Sequence, residues 1–490
     1  MTLHLTRAVP TPTKGEGRDA ARGGLALPAL TALVVGSMIG SGIFALPSQM
    51  AGSAAPGPLL IGWTVTGLGM LMLAFVFQTL ASRKADVDGG VYGYARAGFG
   101  DYVGFTSAWG YWISAWVGNV GYLVLLMATL GYFVPSFEGG NTTVAIVGAS
   151  AVLWIVHALT LRGVHAAAVV NTVVTVAKVV PILTFIAIAA VGFESGLFTA
   201  DFWGDGAGLG STMDQVKNMM LVTVWVFIGI EGAAVYSKRA GRRSDVGRAT
   251  ILGFVGVLAL LLAVNLLAYG LMARAEVAGL SDPSMAALLK NEVGSWGAAF
   301  ISIGLAVSLL GALISWVLLC VEILRLPAME NVLPRQLAAE NEHGAPSVAL
   351  WLTNGCVQLM LLWTLFNEST YTQLIYLATS LILLPYLWSA LYQVKLALTG
   401  ETYAGGAGRA RDLAIGGVAL AYAVWLVYAG GTDYLFVAAL FYLAGTGLFL
   451  WARHQAGRTL LTSVERVLVG LVSATSVVAV LGLAQGWITV

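Results

Sequence analysis

Apolar residues come in runs of about 20, the length that carries a helix across the hydrocarbon core of a bilayer, with short polar segments between them. The runs lie near residues 26–52, 57–80, 102–134, 143–160, 166–192, 216–237, 247–273, 294–324, 347–366, 371–396, 412–430, 433–452 and 465–487, and they predict thirteen transmembrane helices. The run at 102–134 is long enough to open with a turn outside the membrane, and the one at 294–324 to tilt or protrude. Two runs are interrupted. In the first, Gly36-Ser37-Met38-Ile39-Gly40-Ser41-Gly42-Ile43-Phe44 sets three glycines in an apolar context. In the sixth, Phe227-Ile228-Gly229-Ile230-Glu231-Gly232-Ala233 adds an acid at membrane depth. A break inside a bilayer leaves backbone N–H and C=O groups unpaired, which is tolerated only where protein or a ligand cavity satisfies them. Both interruptions are therefore candidate substrate sites, as in transporters with discontinuous helices.

Breaks in the first and sixth runs are what two five-helix units of inverted topology would produce, because an odd number of crossings flips the next unit. The fold class expected is an all-α polytopic membrane protein with a five-plus-five inverted-repeat core. The corresponding division is a polar tail at 1–25, repeats at 26–192 and 193–397, and accessory helices at 398–490. The tail carries Pro, Thr, Gly and charges, reads as disordered, and lacks the apolar core of a signal peptide.

Composition agrees with the pattern. Charged residues make up 10% of the 490, against roughly 25% in ordinary soluble domains, and the mean hydropathy is +0.84. With the N-terminus in the cytoplasm, 21 of the 25 Lys and Arg residues fall in inside segments, as the positive-inside rule requires. Outside segments hold Lys217, Arg274 and Lys290, and Lys178 is left within a span. An odd number of spans then puts Val490 outside. The basic residues are explained by topology and call for no nucleic acid partner. Cys320 and Cys356 lie in spans and suggest neither a disulfide nor a metal site. The five histidines have no ligand spacing, and no Gly-Lys-Ser/Thr phosphate loop is present. No cofactor is called for.

The residues around the breaks resemble those of a known family. Gly36 to Pro47 is similar to the first-helix signature of the amino acid-polyamine-organocation superfamily. Asp88-Gly89-Gly90-Val91-Tyr92-Gly93-Tyr94, Trp109-Gly110-Tyr111-Trp112 with Gly118-Asn119, and Trp225 to Ala233 resemble its basic amino acid/polyamine antiporter branch. The last motif, followed by Arg243-Ser244-Asp245-Val246-Gly247-Arg248-Ala249-Thr250, is most similar to arginine/ornithine antiporters and lysine permeases.

The resemblance implies an amino acid held near the bilayer midplane between the broken parts of helices one and six. Ile39, Gly40, Ser41 and Gly42 would lie at the substrate backbone, with N–H groups after Gly40-Ser41-Gly42 facing its carboxylate. Free carbonyls at Gly36 to Ile39 and at Trp225 to Ile228 would accept from the α-ammonium. Glycine lets the backbone come close to a ligand. A single such run would read as helix packing, but two matched runs, one with an acid, favour the ligand site.

Trp225 matches the family's gating aromatic, Trp316 the eighth-helix tryptophan that stacks on an arginine side chain, and Asn119 a polar residue near the ligand. Cation-π attraction of this kind contributes about 0.5–2 kcal/mol. The alternative for Trp316 is packing. Glu231 either caps the second break or acts with substrate. Lys178, about 13 residues into its helix and hence ~19 Å along it, resembles the lysine that stands where sodium-coupled relatives hold an ion. It is a fixed cation or a proton carrier, and either role argues against sodium coupling.

Three function classes follow, in order: an antiporter exchanging cationic amino acids, arginine for ornithine, in a bacterial inner membrane; a proton-coupled or uniport permease for lysine or neutral amino acids; and a membrane sensor or assembly subunit. An enzyme comes last, because no nucleophile-base set or metal motif is visible. Relatives within the resemblance are often homodimers.

Overall fold

The computed structural model describes residues 27–163, 167–206, 208–231, 243–367 and 370–488. The N-terminal tail, Gly232-Ala233 and the basic group Lys238, Arg239 and Arg242 lie outside the described residues.

The described residues form helices joined by turns and short loops. The first apolar run forms α1 (Leu27–Met38), a 3-10 turn at Ser41–Phe44 and α2 (Leu46–Ser53). Then come α3 (Pro56–Arg83), the short α4 (Val91–Phe99), α5 (Asp101–Leu130), α6 (Thr143–Leu161) and α7 (Ala167–Val191). After α8 (Ser195–Thr199), the sixth run gives α9 (Thr212–Trp225), which ends at the second break, and α10 (Arg243–Ala268) follows. Two short helices, α11 (Arg274–Ala278) and α12 (Ser284–Val293), lead into α13 (Ser295–Met329). The chain closes with α14 (Ser347–Asn367), α15 (Tyr371–Thr399), α16 (Arg409–Ala429), α17 (Thr432–Gln455) and α18 (Ser463–Gln485).

Each of the thirteen apolar runs coincides with helix among the described residues. Ten of these helices are long and apolar enough to cross a membrane. The other three are the two interrupted runs and α7, whose described apolar part is Val176–Val191. No turn opens the 102–134 run, which is helical from Asp101; ahead of it lies a separate short helix, α4, which stops at Gly100. That residue has φ +93°, a conformation open to glycine because it has no Cβ. At 35 residues, α13 is about 52 Å long, well beyond a hydrocarbon core of roughly 30 Å.

Apolar surface on all sides of a helix demands neighbours on all sides when the helix is central, and lipid when it is not. In the most apolar window of α5, 89% of the residues are buried within the protein, against 17% for α18. So α5 is the axis of the bundle and α18 is peripheral. α5 packs on α13 and α15, and the broken helices lie beside them, α1 against α10 and α9 against α3 and α15.

Helix ends segregate into two faces. On one, Arg83 at the end of α3 pairs with the buried Asp412 at 2.8 Å and stacks over the Tyr403 ring at 3.7 Å. There too Arg96 pairs with Glu330 and with Asp101 at 2.8 Å, and Arg453 joins Glu465 at 2.8 Å and Asp101 at 3.2 Å. On the opposite face Tyr269 donates to the Ala54 carbonyl at 2.8 Å, Arg274 donates to that of Ala51 at 2.7 Å, and Gln215 accepts from the Ala55 N–H at 2.9 Å.

Candidate functional site

The first break starts at Gly40, whose backbone is extended (φ −86°, ψ −178°). The last helical bond before it runs from the Ile39 N–H to the Val35 carbonyl at 2.9 Å. Lys178 fills the gap that follows. Its Nζ reaches across from α7 and donates to the carbonyls of Gly36 at 2.6 Å and Ile39 at 2.8 Å. Two of the carbonyls expected to meet the substrate ammonium, those of Gly36 and Ile39, thus already accept from a side chain of the protein. An ammonium is a compact cation with three donors, so it can collect several carbonyl dipoles at one point. Lys178 thus joins α7 to the carbonyls at the end of α1.

At the second break the i→i−4 ladder gives way to tighter turns. The Phe227 N–H bonds to the Val224 carbonyl at 2.9 Å, Ile228 to Trp225 at 3.2 Å and Ile230 to Phe227 at 3.1 Å. Gly229 has φ +107°, and its freed N–H donates to Glu231 Oε2 at 3.1 Å. The same carboxylate accepts from Tyr386 Oη at 2.8 Å and, through Oε1, from Tyr111 Oη at 2.6 Å. The capping alternative for Glu231 is what the geometry shows. Through the two tyrosines the cap also ties the break to α5 and α15.

The two breaks meet at Trp225. A Cβ on Gly42 would stand 2.9 Å from the Trp225 Nε1, and one on Gly118 would stand 2.9 Å from its Cη2. Glycine at both positions lets the indole lie between the first break and α5. The Tyr122 ring is 5.9 Å away, and Trp225 Nε1 donates to Tyr371 Oη at 3.2 Å.

Ile39 and Ile228 are buried at the two breaks. Ser41 opens the 3-10 turn, and its side chain is outside the described residues. Asn119 is buried beside Gly118. Its amide donates to Cys320 Sγ at 3.8 Å while its Oδ1 has no partner among the described residues. Trp316 is half-buried on α13, one turn before Cys320.

Sequence reasoning missed Tyr111, Tyr386 and Tyr371. Tyr111 sits in a quoted motif, Trp109-Gly110-Tyr111-Trp112, but nothing in one sequence says that it points at an acid 120 residues away.

Broken helices that meet across a buried tryptophan, within a bundle of membrane-length helices, define a transporter of the discontinuous-helix class. The family model described as amino acid permease matches residues 25–472, and the chain belongs to that family of the amino acid-polyamine-organocation superfamily. It is 56% identical to the arginine/ornithine antiporter of Pseudomonas aeruginosa over 95% of this chain and 98% of that one. It is 43% identical to the L-lysine transport protein of Corynebacterium glutamicum over 96% and 97%. To an arginine/agmatine antiporter of Chlamydia trachomatis the identity is 39%, over 92% and 95%.

Proposed function

We propose that this protein exchanges cationic amino acids, arginine for ornithine, by alternating access. The observation that carries this reading is the near end-to-end similarity to an arginine/ornithine antiporter, joined to breaks that supply the groups such a substrate needs. The substrate lies between the breaks. Its carboxylate meets N–H groups of the Ser41–Phe44 turn. Its ammonium meets the carbonyls around Trp225 to Ile228 and the lone pairs that Lys178 leaves open at Gly36 to Ile39. Trp225 and Trp316 take the side-chain cation, with Asn119 beside them.

Two closures bound this site. Trp225 with Gly42 and Tyr371 closes it toward the face of α2 and α12, and Glu231 with Tyr111 and Tyr386 closes it toward the basic face. Both sets of contacts are present in this structure. The positive-inside rule assigns the basic face to the cytoplasm of a bacterial inner membrane, with thirteen spans and the C-terminus outside. Residues 26–192 and 193–397 then act as the two repeats.

A second reading, a permease that carries net charge, is favoured by the lysine transport relative. The two separate in proteoliposomes offered labelled arginine. Exchange predicts uptake into ornithine-loaded vesicles and little into empty ones, with unlabelled ornithine appearing outside in equal amount. Equal uptake into loaded and empty vesicles would overturn exchange in favour of the permease.

A further inference from the structure

On the far side of Trp225 from Glu231 the structure holds a cavity of about 330 Å³, at the lower end of the roughly 300–1,000 Å³ found for small-molecule sites. Ser48 of α2, Val124 and Ala128 of α5, Asp282 ahead of α12, and Tyr371 and Thr372 of α15 line it. Its link to the breaks is Tyr371, whose hydroxyl accepts from Trp225 Nε1 at 3.2 Å. A ligand here is one tryptophan away from the substrate site.

The carboxylate in this cavity has few partners. Asp282 accepts from Ser48 Oγ at a long 3.4 Å and makes no ion pair among the described residues. It does not cap α12, whose N-cap is Pro283 and which has no side-chain cap. The nearby guanidinium of Arg274 is committed to the Ala51 carbonyl at 2.7 Å. Beside the cavity, Gln49 is buried, donates its amide to Thr372 Oγ1 at 3.2 Å, and leaves Oε1 without a partner among the described residues. Burial pushes the Asp282 carboxyl up to about 7, which means that the surrounding protein withholds the water or cation a carboxylate needs. A carboxylate and an unpaired amide oxygen are acceptors only, and together they match a donor-only cation.

We propose that this cavity is an antechamber that binds the side-chain cation of an arriving basic amino acid, a guanidinium or a primary ammonium, with Asp282 as its anion. The assignment rests on the cationic-substrate reading above. It gives the protein a selection step before Trp225 moves: cationic amino acids are concentrated at the mouth of the site, and neutral ones are not. Steering of this kind raises association rates and weakens with salt.

The test is arginine uptake into ornithine-loaded proteoliposomes by the wild type, Asp282→Asn and Asp282→Glu, at low and high ionic strength. Asp282→Asn is expected to raise the external KM about ten-fold, to leave the maximal rate near wild type and to flatten the salt dependence. Asp282→Glu should restore both the KM and the salt dependence. In case Asp282→Asn does not fold, Ser281→Lys places an ammonium on an exposed neighbour and should raise the KM in the same way. Wild-type exchange with an unchanged KM in the folded variants would overturn the antechamber and leave the exchanger intact. Wild-type protein that exchanges no basic amino acid would overturn the cationic-substrate reading, and the antechamber with it.

Discussion

Trp225 and Trp316 differ in what surrounds them. Trp225 is buried between two glycines and hydrogen-bonded, whereas Trp316 is half-buried on α13 and packs against the apolar core. Replacing Trp316 with Ala removes a cation-π partner worth about 0.5–2 kcal/mol, so arginine affinity should fall roughly 2- to 30-fold. A small neutral amino acid has no side-chain charge to lose and should be nearly unaffected. Competition binding on detergent-solubilised protein reads the difference, and equal losses for both ligands would assign Trp316 to packing. Lys178 shows the same economy from the opposite side. One ammonium satisfies two carbonyls that the first break exposes.

At the scale of the helices, the two breaks depend on each other. The 3-10 turn after Gly40 brings Gly42 under the Trp225 indole, and the end of α9 brings Trp225 to it; this closure needs both elements. Gly42→Leu would drive a side chain into Trp225 and into Val226, whose Cγ1 lies 3.2 Å from a Cβ built at Gly42. The indole cannot retreat toward α5, because Gly118 offers room for no more than the present contact. Arginine binding should therefore be abolished in a variant that still elutes as a monodisperse peak. Unchanged affinity in that variant would show that Trp225 and Gly42 need not approach for the site to form. Glu231 plays the corresponding part at the other closure, where a single carboxylate spans the break, α5 and α15 through three donors.

For the whole molecule, closures on both sides of one site make transport an exchange of conformations rather than passage through a pore. If arginine enters and ornithine leaves, each as a monocation, no net charge crosses. A membrane potential worth ~2.3 kcal/mol per charge per 100 mV then supplies no driving force. Arginine uptake into ornithine-loaded vesicles should be the same with and without an inside-negative potassium diffusion potential. Accumulation that grows with the potential would mean net inward charge and would return the protein to the permease reading. The same symmetry places α5 at the centre, since it carries Tyr111, Gly118, Asn119 and Tyr122 and so touches both closures.

The positions of the long apolar helices could be read from the sequence, though not their exact ends, because the bilayer imposes its length on each span separately. Glycine inside an apolar run marked both breaks for the same reason: a break is a local event with a local cost. Lys178 and Glu231 could be flagged from membrane depth alone. Their partners could not. That Lys178 bonds to Gly36 and Ile39, that Glu231 bonds to Tyr111 and Tyr386, and that Asp282 shares a cavity with Tyr371 are contacts between helices distant in the chain. Tyrosine is common on such helices and carries no period or spacing that names its partner. Only the packing of α5, α7 and α15 around the two breaks decided which hydroxyls, carbonyls and carboxylates meet.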